Sequence, residues 1–321
     1  MVDTPPPATR FASKIDDENR LALIRRLRVM YWFRGCMARH DAPSAHALAK
    51  VIGSLTPSSA GTFSPKRYYE YARGNRLPSH FTVRALEHAL HRRHRPIGST
   101  EEFLHPVWQV IATTAPRPSA VYDWIHGMAP ELQSVAARGE LPSRNKHWVP
   151  NFRSSSLTAI HKNPGLDAIA LLCIAIRQAF RFGSLQQAGD LAVHLSHAFW
   201  MASDLFRGRK LLTDWAGVLD QCVFIDIADA ERRLRFPAAC VEADARALDW
   251  ELRKLPASNP WTICPSRTSE LRKVLGTDRH YLYWRWHYPR VEPNTMKLVA
   301  QIPSISDLHV ASDVPSGLLA P

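Results

Sequence analysis

Residues 166–180 read LDAIALLCIAIRQAF and are apolar on almost every side of a helix. The run is shorter than the roughly 20 residues that a membrane-spanning helix needs. A helix that is apolar all round is buried among other helices in a globular protein. We therefore expect this stretch to be the central helix of a core in the second half of the chain.

The neighbouring segments show helical and strand patterns. A helix over residues 241–255 is predicted by a seam of apolar residues, and the aromatic run YLYWRWHYPRV at 281–291 is the best strand candidate. The clearest helical period follows the central run, where apolar residues recur at steps of three and one: Ala188, Leu191, Ala192, Leu195, Ala198, Phe199, Ala202, Leu205 and Phe206. The sequence thus predicts a mostly α protein with minor C-terminal β structure.

The basic charge of the chain is concentrated in one segment. The whole chain carries 41 Lys and Arg against 29 Asp and Glu, a net charge of +12. Residues 20–100 hold 15 Lys and Arg and three acidic residues, so this segment accounts for the entire excess. We expect a polyanionic partner, with nucleic acid as the first candidate, an anionic membrane surface second and general solubility as the plain explanation.

Cysteine spacing and the first residues bear on the cellular compartment. The five cysteines lie far apart without a Cys-x-x-Cys pair, so neither a disulfide framework nor a zinc ribbon is expected. The opening MVDTPPPATR has no apolar run behind a basic region. We expect reduced thiols, no membrane association and a cytoplasmic protein.

The first helix of the basic segment is expected to be amphipathic. Asp16 or Asp17 is the predicted cap, and several arginines point away from the apolar side. The apolar positions recur at helical spacing: Leu23, Ile24, Leu27, Met30 and Tyr31.

Three further helices have chemically marked boundaries. Ser44 opens SAHALAKVIG, a short helix expected to end at Gly53. Ser64 opens SPKRYYEYARG, in which proline holds the first helical position and Gly74 lies just past the end. Ser79 then opens a last helix in this segment. The segment is therefore predicted to consist of short, well-capped helices.

This order resembles the helix-turn-helix domain of the Xre/Cro phage-repressor family. In that family a short helix ends at glycine, the recognition helix closes with an aromatic-x-x-Gly element, and a Pro-Ser step opens the next helix. The likeness covers residues 44–90. It departs from the pattern at GSLTPSSAGTFS (53–64), which is longer than the usual turn, and in lacking Asn, Gln or Thr as base readers. The matching residues are Leu48-Ala49, Gly53, Tyr71, Arg73, Gly74, Arg76 and Pro78-Ser79.

The resemblance implies double-stranded DNA as the partner, with the 64–73 helix in the major groove. Arginine would then read guanine edges and lysine would meet phosphates. Basic residues outside that helix would contact phosphates alone, and the alternative is a structural helical hairpin with a solvated basic face. The predicted DNA-binding residues are Arg25, Arg28, Lys66, Arg67, Tyr69, Arg73, Arg76, Arg84, Arg92 and Arg93.

Proline, serine and glycine clusters divide the chain into five parts. We expect an N-terminal helix-turn-helix-like domain followed by a larger helical domain. The parts are a flexible lead at 1–18, a basic helical nucleic-acid-binding domain at 19–112, a connecting segment at 113–165, a helical association domain at 166–302 and a tail at 303–321.

Two clusters of polar residues are candidates for metal binding. Asp190, His194 and His197 stand at i, i+4 and i+7, but they lack the His-Glu-x-x-His order and a nearby cysteine. We expect them to form a solvated helix face with no metal or other cofactor. The acids of FIDIADAERR (224–233) suggest a magnesium nuclease centre or, as we prefer, a strand-to-helix transition with acids at the helix start.

The function predicted from these patterns is non-enzymatic binding of double-stranded DNA. No phosphate-binding loop, dinucleotide fingerprint or nucleophile elbow occurs in the sequence. We expect a regulator or an architectural accessory of DNA recombination or mobile-element maintenance, with self-association or a protein partner through the C-terminal helices. The alternative is a helical adaptor in a larger nucleoprotein assembly that contacts RNA or DNA phosphates without sequence readout, and a metal-dependent nuclease comes third.

Overall fold

A computed structural model of the chain describes residues 13–55, 64–91, 99–138, 142–183, 185–228, 232–236, 241, 245–246 and 290–293. These residues are mostly helical with very little strand, which confirms the predicted fold class. None of the helices they form has the length and apolarity required to cross a membrane. The helices are α1 (Ser13–Arg39), α2 (Ala45–Leu55), α3 (Pro65–Ala72), α4 (His80–His91), α5 (Ser99–Leu104), α6 (Val107–Ala112), α7 (Pro118–His126), α8 (Pro130–Ala136), α9 (Ser154–Lys162), α10 (Leu166–Phe182), α11 (Leu185–Met201), α12 (Ser203–Arg207) and α13 (Leu212–Cys222).

Helix α10 is the centre of the larger apolar core, as the sequence predicts. It packs against α6, α8 and α11, and nearly all of its side chains from Leu166 to Ala179 are buried. The apolar stripe predicted for the next segment lies on α11 and α12 and is buried except at Leu205, which is 42% exposed. This residue escapes burial because α11 ends at Met201 and the chain turns before α12 begins.

Helix α1 is buried on two sides and belongs to both apolar cores. The predicted residues Ile24, Leu27, Met30 and Tyr31 lie in the larger core. A second set on α1 packs in a smaller core with α2, α3, α4 and α5, and it consists of Val29, Trp32, Phe33 and Cys36. The helical period in the sequence predicts only the first of these faces. The two cores therefore share one helix, and α1 is less amphipathic than its arginines suggested.

A buried ion cluster fastens the start of α1 to the larger core. Arg20 donates two hydrogen bonds to Asp226, at 3.0 and 2.8 Å. Arg177 from the middle of α10 lies 3.7 Å from the same carboxylate and donates to the carbonyl oxygens of Val110, Ile111 and Cys222. Both arginine side chains are less than 10% exposed. These contacts join α1 and α10 to α6, to the end of α13 and to Asp226.

The stretch 113–165 forms part of the larger core, which corrects its description as a connecting segment. It carries α7, α8 and α9. Its buried side chains include Val121, Leu132, Trp148 and Ile160, all in the same cluster as α10. Their burial removes apolar surface from water and so ties the stretch to α10.

The C-terminal part is described only in fragments. Strand β1 (Arg232–Arg235) pairs antiparallel with β2 (Arg290–Pro293), and Leu234 lies opposite Val291. A short 3-10 helix at Phe224–Asp226 precedes β1, so the expected strand-to-helix transition is wrong in its order. Most of the predicted helix over 241–255 and of the aromatic run at 281–291 lies outside the described residues.

Replacing Asp226 tests the ion cluster. We expect Asp226→Asn to lower the free energy of unfolding by about 3 kcal/mol or more, because two buried guanidinium groups lose their counter-charge. Asp123→Asn is the matched control, since its partner Arg144 is 66% exposed and such surface pairs contribute about 0–1 kcal/mol. Urea denaturation of both variants measures the difference, and equal effects would contradict the structural role of Asp226.

Candidate nucleic-acid interface

The capping serines predicted for α2, α3 and α4 make the expected hydrogen bonds. Ser44 Oγ accepts from the backbone N–H of Ala47 at 3.1 Å. Ser64 Oγ accepts from Arg67 N at 3.3 Å, and Ser79 Oγ accepts from Thr82 N at 3.1 Å. Each bond satisfies one of the free N–H groups in the first turn of a helix. The three starts predicted from local sequence are therefore confirmed.

Helix α2 runs past Gly53 to Leu55, so the predicted end at this glycine is wrong. Glycine costs about 1 kcal/mol relative to alanine inside a helix, which a packed helix tolerates. The buried side chains of Leu48 and Ile52 provide such packing. The stretch between α2 and α3 is consequently reduced to residues 56–64, still longer than the three or four residues usual in a helix-turn-helix.

Aromatic packing fixes the orientation of α3. Tyr68 and Tyr71 are buried, and their ring centroids lie 5.4 and 5.8 Å from that of Phe33 on α1. At the other end of α3, the Arg34 guanidinium donates to the carbonyl oxygen of Ala72 at 3.0 Å. One side of α3 is thus held against α1, and the opposite side faces solvent.

The solvent-facing side of α3, together with its C-cap residue Arg73, carries four of the predicted DNA-binding residues. Lys66, Arg67 and Arg73 are exposed, and Tyr69 is 46% exposed. The one acidic residue of α3, Glu70, forms an exposed ion pair with Arg76 at 3.3 Å. The structure therefore places basic and aromatic groups together on one short, capped helix.

The other predicted residues divide into three groups. Arg25 on α1 and Arg84 on α4 are exposed and available to a partner. Arg92 and Arg93 lie outside the described residues. Arg28 is half-buried. Its Nε donates to the carbonyl oxygen of Phe103 at 2.6 Å, and its guanidinium lies 4.1 Å from the centroid of the Phe103 ring. Burial also lowers the pKa of Arg28. The Arg28 guanidinium thus joins α1 to α5, and its contact with phosphate stays a prediction.

The predicted polar face of α11 is not solvated as expected. His197 is buried with 6% exposure, and His194 is half-buried. Asp190 is exposed and accepts a hydrogen bond from Gln186 at 3.1 Å. The histidines instead lie beside His161 of α9, which the sequence analysis missed because no periodicity relates residues on separate helices.

The carboxylate of Asp226 is already engaged by arginine side chains. Its carboxylate is bonded to Arg20 and lies near Arg177, so its negative charge is already balanced. The other acids of this stretch, Asp229 and Glu231, lie outside the described residues, so the nuclease interpretation stays a hypothesis.

No protein-family model, curated protein or solved structure matches this chain. The function is therefore inferred from the residues themselves.

The environment of Arg28 predicts a stability effect. We expect Arg28→Ala to lower the free energy of unfolding by about 2 kcal/mol, since it removes a charged hydrogen bond and a cation–π contact. Arg25→Ala, on the same helix but exposed, is expected to stay within about 0.5 kcal/mol of the parent. Chemical denaturation measures both. A drop in Arg25→Ala as large as that in Arg28→Ala would show that the half-buried contacts are unimportant.

Gly74 provides a test of how α3 ends. Its φ of +70° lies in the left-handed region, and an added Cβ would sit 2.6 Å from the carbonyl oxygen of Arg26. We expect Gly74→Ala to destabilise the protein by more than about 2 kcal/mol.

Gly53→Ala is the control for this substitution. Apart from its chain neighbours and the backbone of its own helix, no atom of the described residues lies within 4 Å of the added Cβ, and alanine favours the helix by about 1 kcal/mol. Thermal unfolding should move the two melting temperatures in opposite directions, and a lower melting temperature for both would contradict the prediction.

Proposed function

We propose that the protein binds double-stranded DNA through the exposed face of α3 and acts without catalysis, as a regulator or an architectural accessory of DNA recombination. The observation that carries the proposal is the solvent-facing set Lys66, Arg67, Tyr69 and Arg73 on a helix that two buried tyrosines hold in place. A rigid helix presents such groups in one geometry, which is what recognition of base edges requires.

The dimensions of α3 suit a major groove. With its side chains, an α-helix such as α3 is about 10–12 Å in diameter. The major groove of B-form DNA is about 12 Å wide and admits one helix. Tyr68 and Tyr71 face the smaller core, so the outward face of α3 is free of the packing that holds the helix.

The charge around α3 favours a polyanion. Arg25 on α1 and Arg84 on α4 add exposed positive charge from the two flanking helices. Guanidinium groups form bidentate pairs with phosphate and with guanine edges, which lysine does less specifically. We assign Arg67 and Arg73 to base contacts and Arg25, Arg76 and Arg84 to phosphate contacts.

The second candidate function is a helical adaptor that contacts phosphates of RNA or DNA without reading sequence. The observation that favours it is the composition of the α3 face, which lacks the Asn and Gln side chains that pair with adenine. Either function leaves the C-terminal helices for self-association or a protein partner.

The two candidates differ in how substitutions on α3 affect binding. A preferred duplex is first selected from a random pool and then compared with a random duplex by fluorescence anisotropy. We expect Arg67→Ala and Arg73→Ala each to weaken binding to the selected duplex by about 1–3 kcal/mol more than binding to the random one. Arg25→Ala should weaken both equally, and affinity should fall about tenfold or more between 50 and 200 mM salt.

The control is Arg117→Ala, which removes the same charge from an exposed position at the start of α7. It should leave both affinities nearly unchanged. Equal losses on both duplexes for Arg67→Ala and Arg73→Ala would favour the adaptor, and no loss on either would remove α3 from the interface.

A further inference from the structure

Three histidines from two helices meet at one point of the larger core. His161 lies in the last turn of α9, and His194 and His197 lie on α11. One nitrogen from each ring falls within 4.8 Å of the other two. The ring centroids are 5.3, 5.7 and 6.2 Å apart. Side chains this close share one small volume.

The packing of α9 on α11 creates the cluster. Residues three apart on a helix lie on the same side, so His194 and His197 face α9 together. Ile160, fully buried in the larger core, anchors α9 immediately before His161. The three rings are therefore held by backbone elements that the core already fixes.

Imidazole binds a metal ion in its neutral form. Burial and, to a smaller extent, the neighbouring His161 and His194 lower the pKa of His197 to about 3. Burial also lowers the pKa of His194. A neutral imidazole offers a nitrogen lone pair, which is the donor that a metal ion needs. The buried Nδ1 of His194 has no hydrogen-bond partner among the described residues, and such an atom is costly unless a metal or water pairs with it.

We propose that His161, His194 and His197 bind one divalent transition-metal ion of the zinc class, which cross-links α9 to α11. The all-nitrogen donor set excludes calcium and magnesium, which take oxygen ligands. Zinc–nitrogen bonds of about 2.0–2.1 Å in tetrahedral geometry bring the donor atoms to about 3.3 Å from one another. Small side-chain rotations close the remaining gap.

Three histidine ligands leave a fourth coordination position for water. The site is built from the α9–α11 pair, whereas α3 packs in the smaller core and its basic face is exposed to solvent. The ion therefore stabilises the larger core, and its loss leaves the DNA-binding face in place.

Zinc titration of the full-length protein tests the site. The protein is first freed of metal with a chelator, and Zn²⁺ is then added with calorimetry as the readout. We expect one zinc per chain in the parent protein and a rise in its melting temperature on binding. Titration with Co²⁺ provides a second readout, because a nitrogen-rich tetrahedral site gives visible absorption bands.

Two ligand variants and one control make the test specific. His161→Gln and His194→Gln should each lower zinc affinity by more than about 100-fold and abolish the thermal shift. His126→Gln, which removes an exposed histidine from α7, should bind zinc like the parent. Circular dichroism of the metal-free variants checks that they fold. The proposal is overturned if the parent binds no zinc at one per chain, or if His161→Gln and His194→Gln bind it as tightly as the parent.

Discussion

The burial of α1 on two faces is the constraint on which the rest of the structure depends. Tyr31 and Leu27 pack in the larger core, while Trp32 and Phe33 pack in the smaller one. Each fully buried large apolar side chain contributes about 1.5–3 kcal/mol, so neither core retains its packing if α1 leaves. Polar contacts add to this coupling, since buried Arg209 pairs with Glu102 at 2.7 Å and covers the Tyr31 ring at 3.9 Å. The two cores therefore share one helix, α1. The packing of α3 against α1 sets the orientation of α3.

The same packing separates structural arginines from those available to a partner. Of the basic residues between 20 and 100, Arg20, Arg28, Arg34 and Arg39 bond to carbonyl or carboxylate groups inside the protein. Their charge is largely used to join helices. The exposed basic groups that remain among the described residues are Arg25 and Arg26 on α1, Lys50 on α2, Lys66 and Arg67 on α3, Arg73 and Arg76 just after α3, and Arg84 on α4. The net charge of a segment is thus an upper limit on the positive charge that is available to a polyanion. Burial and ion pairing within the protein reduce that available charge.

Two chemical properties arise in different parts of this fold. The basic face of α3 consists of side chains that lie outside the smaller core. The histidine cluster consists of side chains that the packing of the larger core brings together. The first depends on charge and exposure, and the second depends on the packing of α9 against α11. Because they share no residues, the proposed DNA-binding surface and the proposed metal site are compatible in one chain.

Local chemistry was sufficient to predict the helix starts at Ser44, Ser64 and Ser79, the central role of α10 and the exposure of Lys66, Arg67 and Tyr69. A capping serine accepts a hydrogen bond from a backbone N–H two or three residues further along, and helical periodicity repeats within one segment. Both can therefore be recognised from residues that lie close together in the sequence. The second buried face of α1, the engagement of Arg28 with Phe103 and the meeting of His161 with His194 and His197 were not predicted. These features join residues that are distant along the chain. Which of them meet depends on how whole helices pack, and that is settled only when α1, α9 and α11 bury their apolar surfaces in a common core.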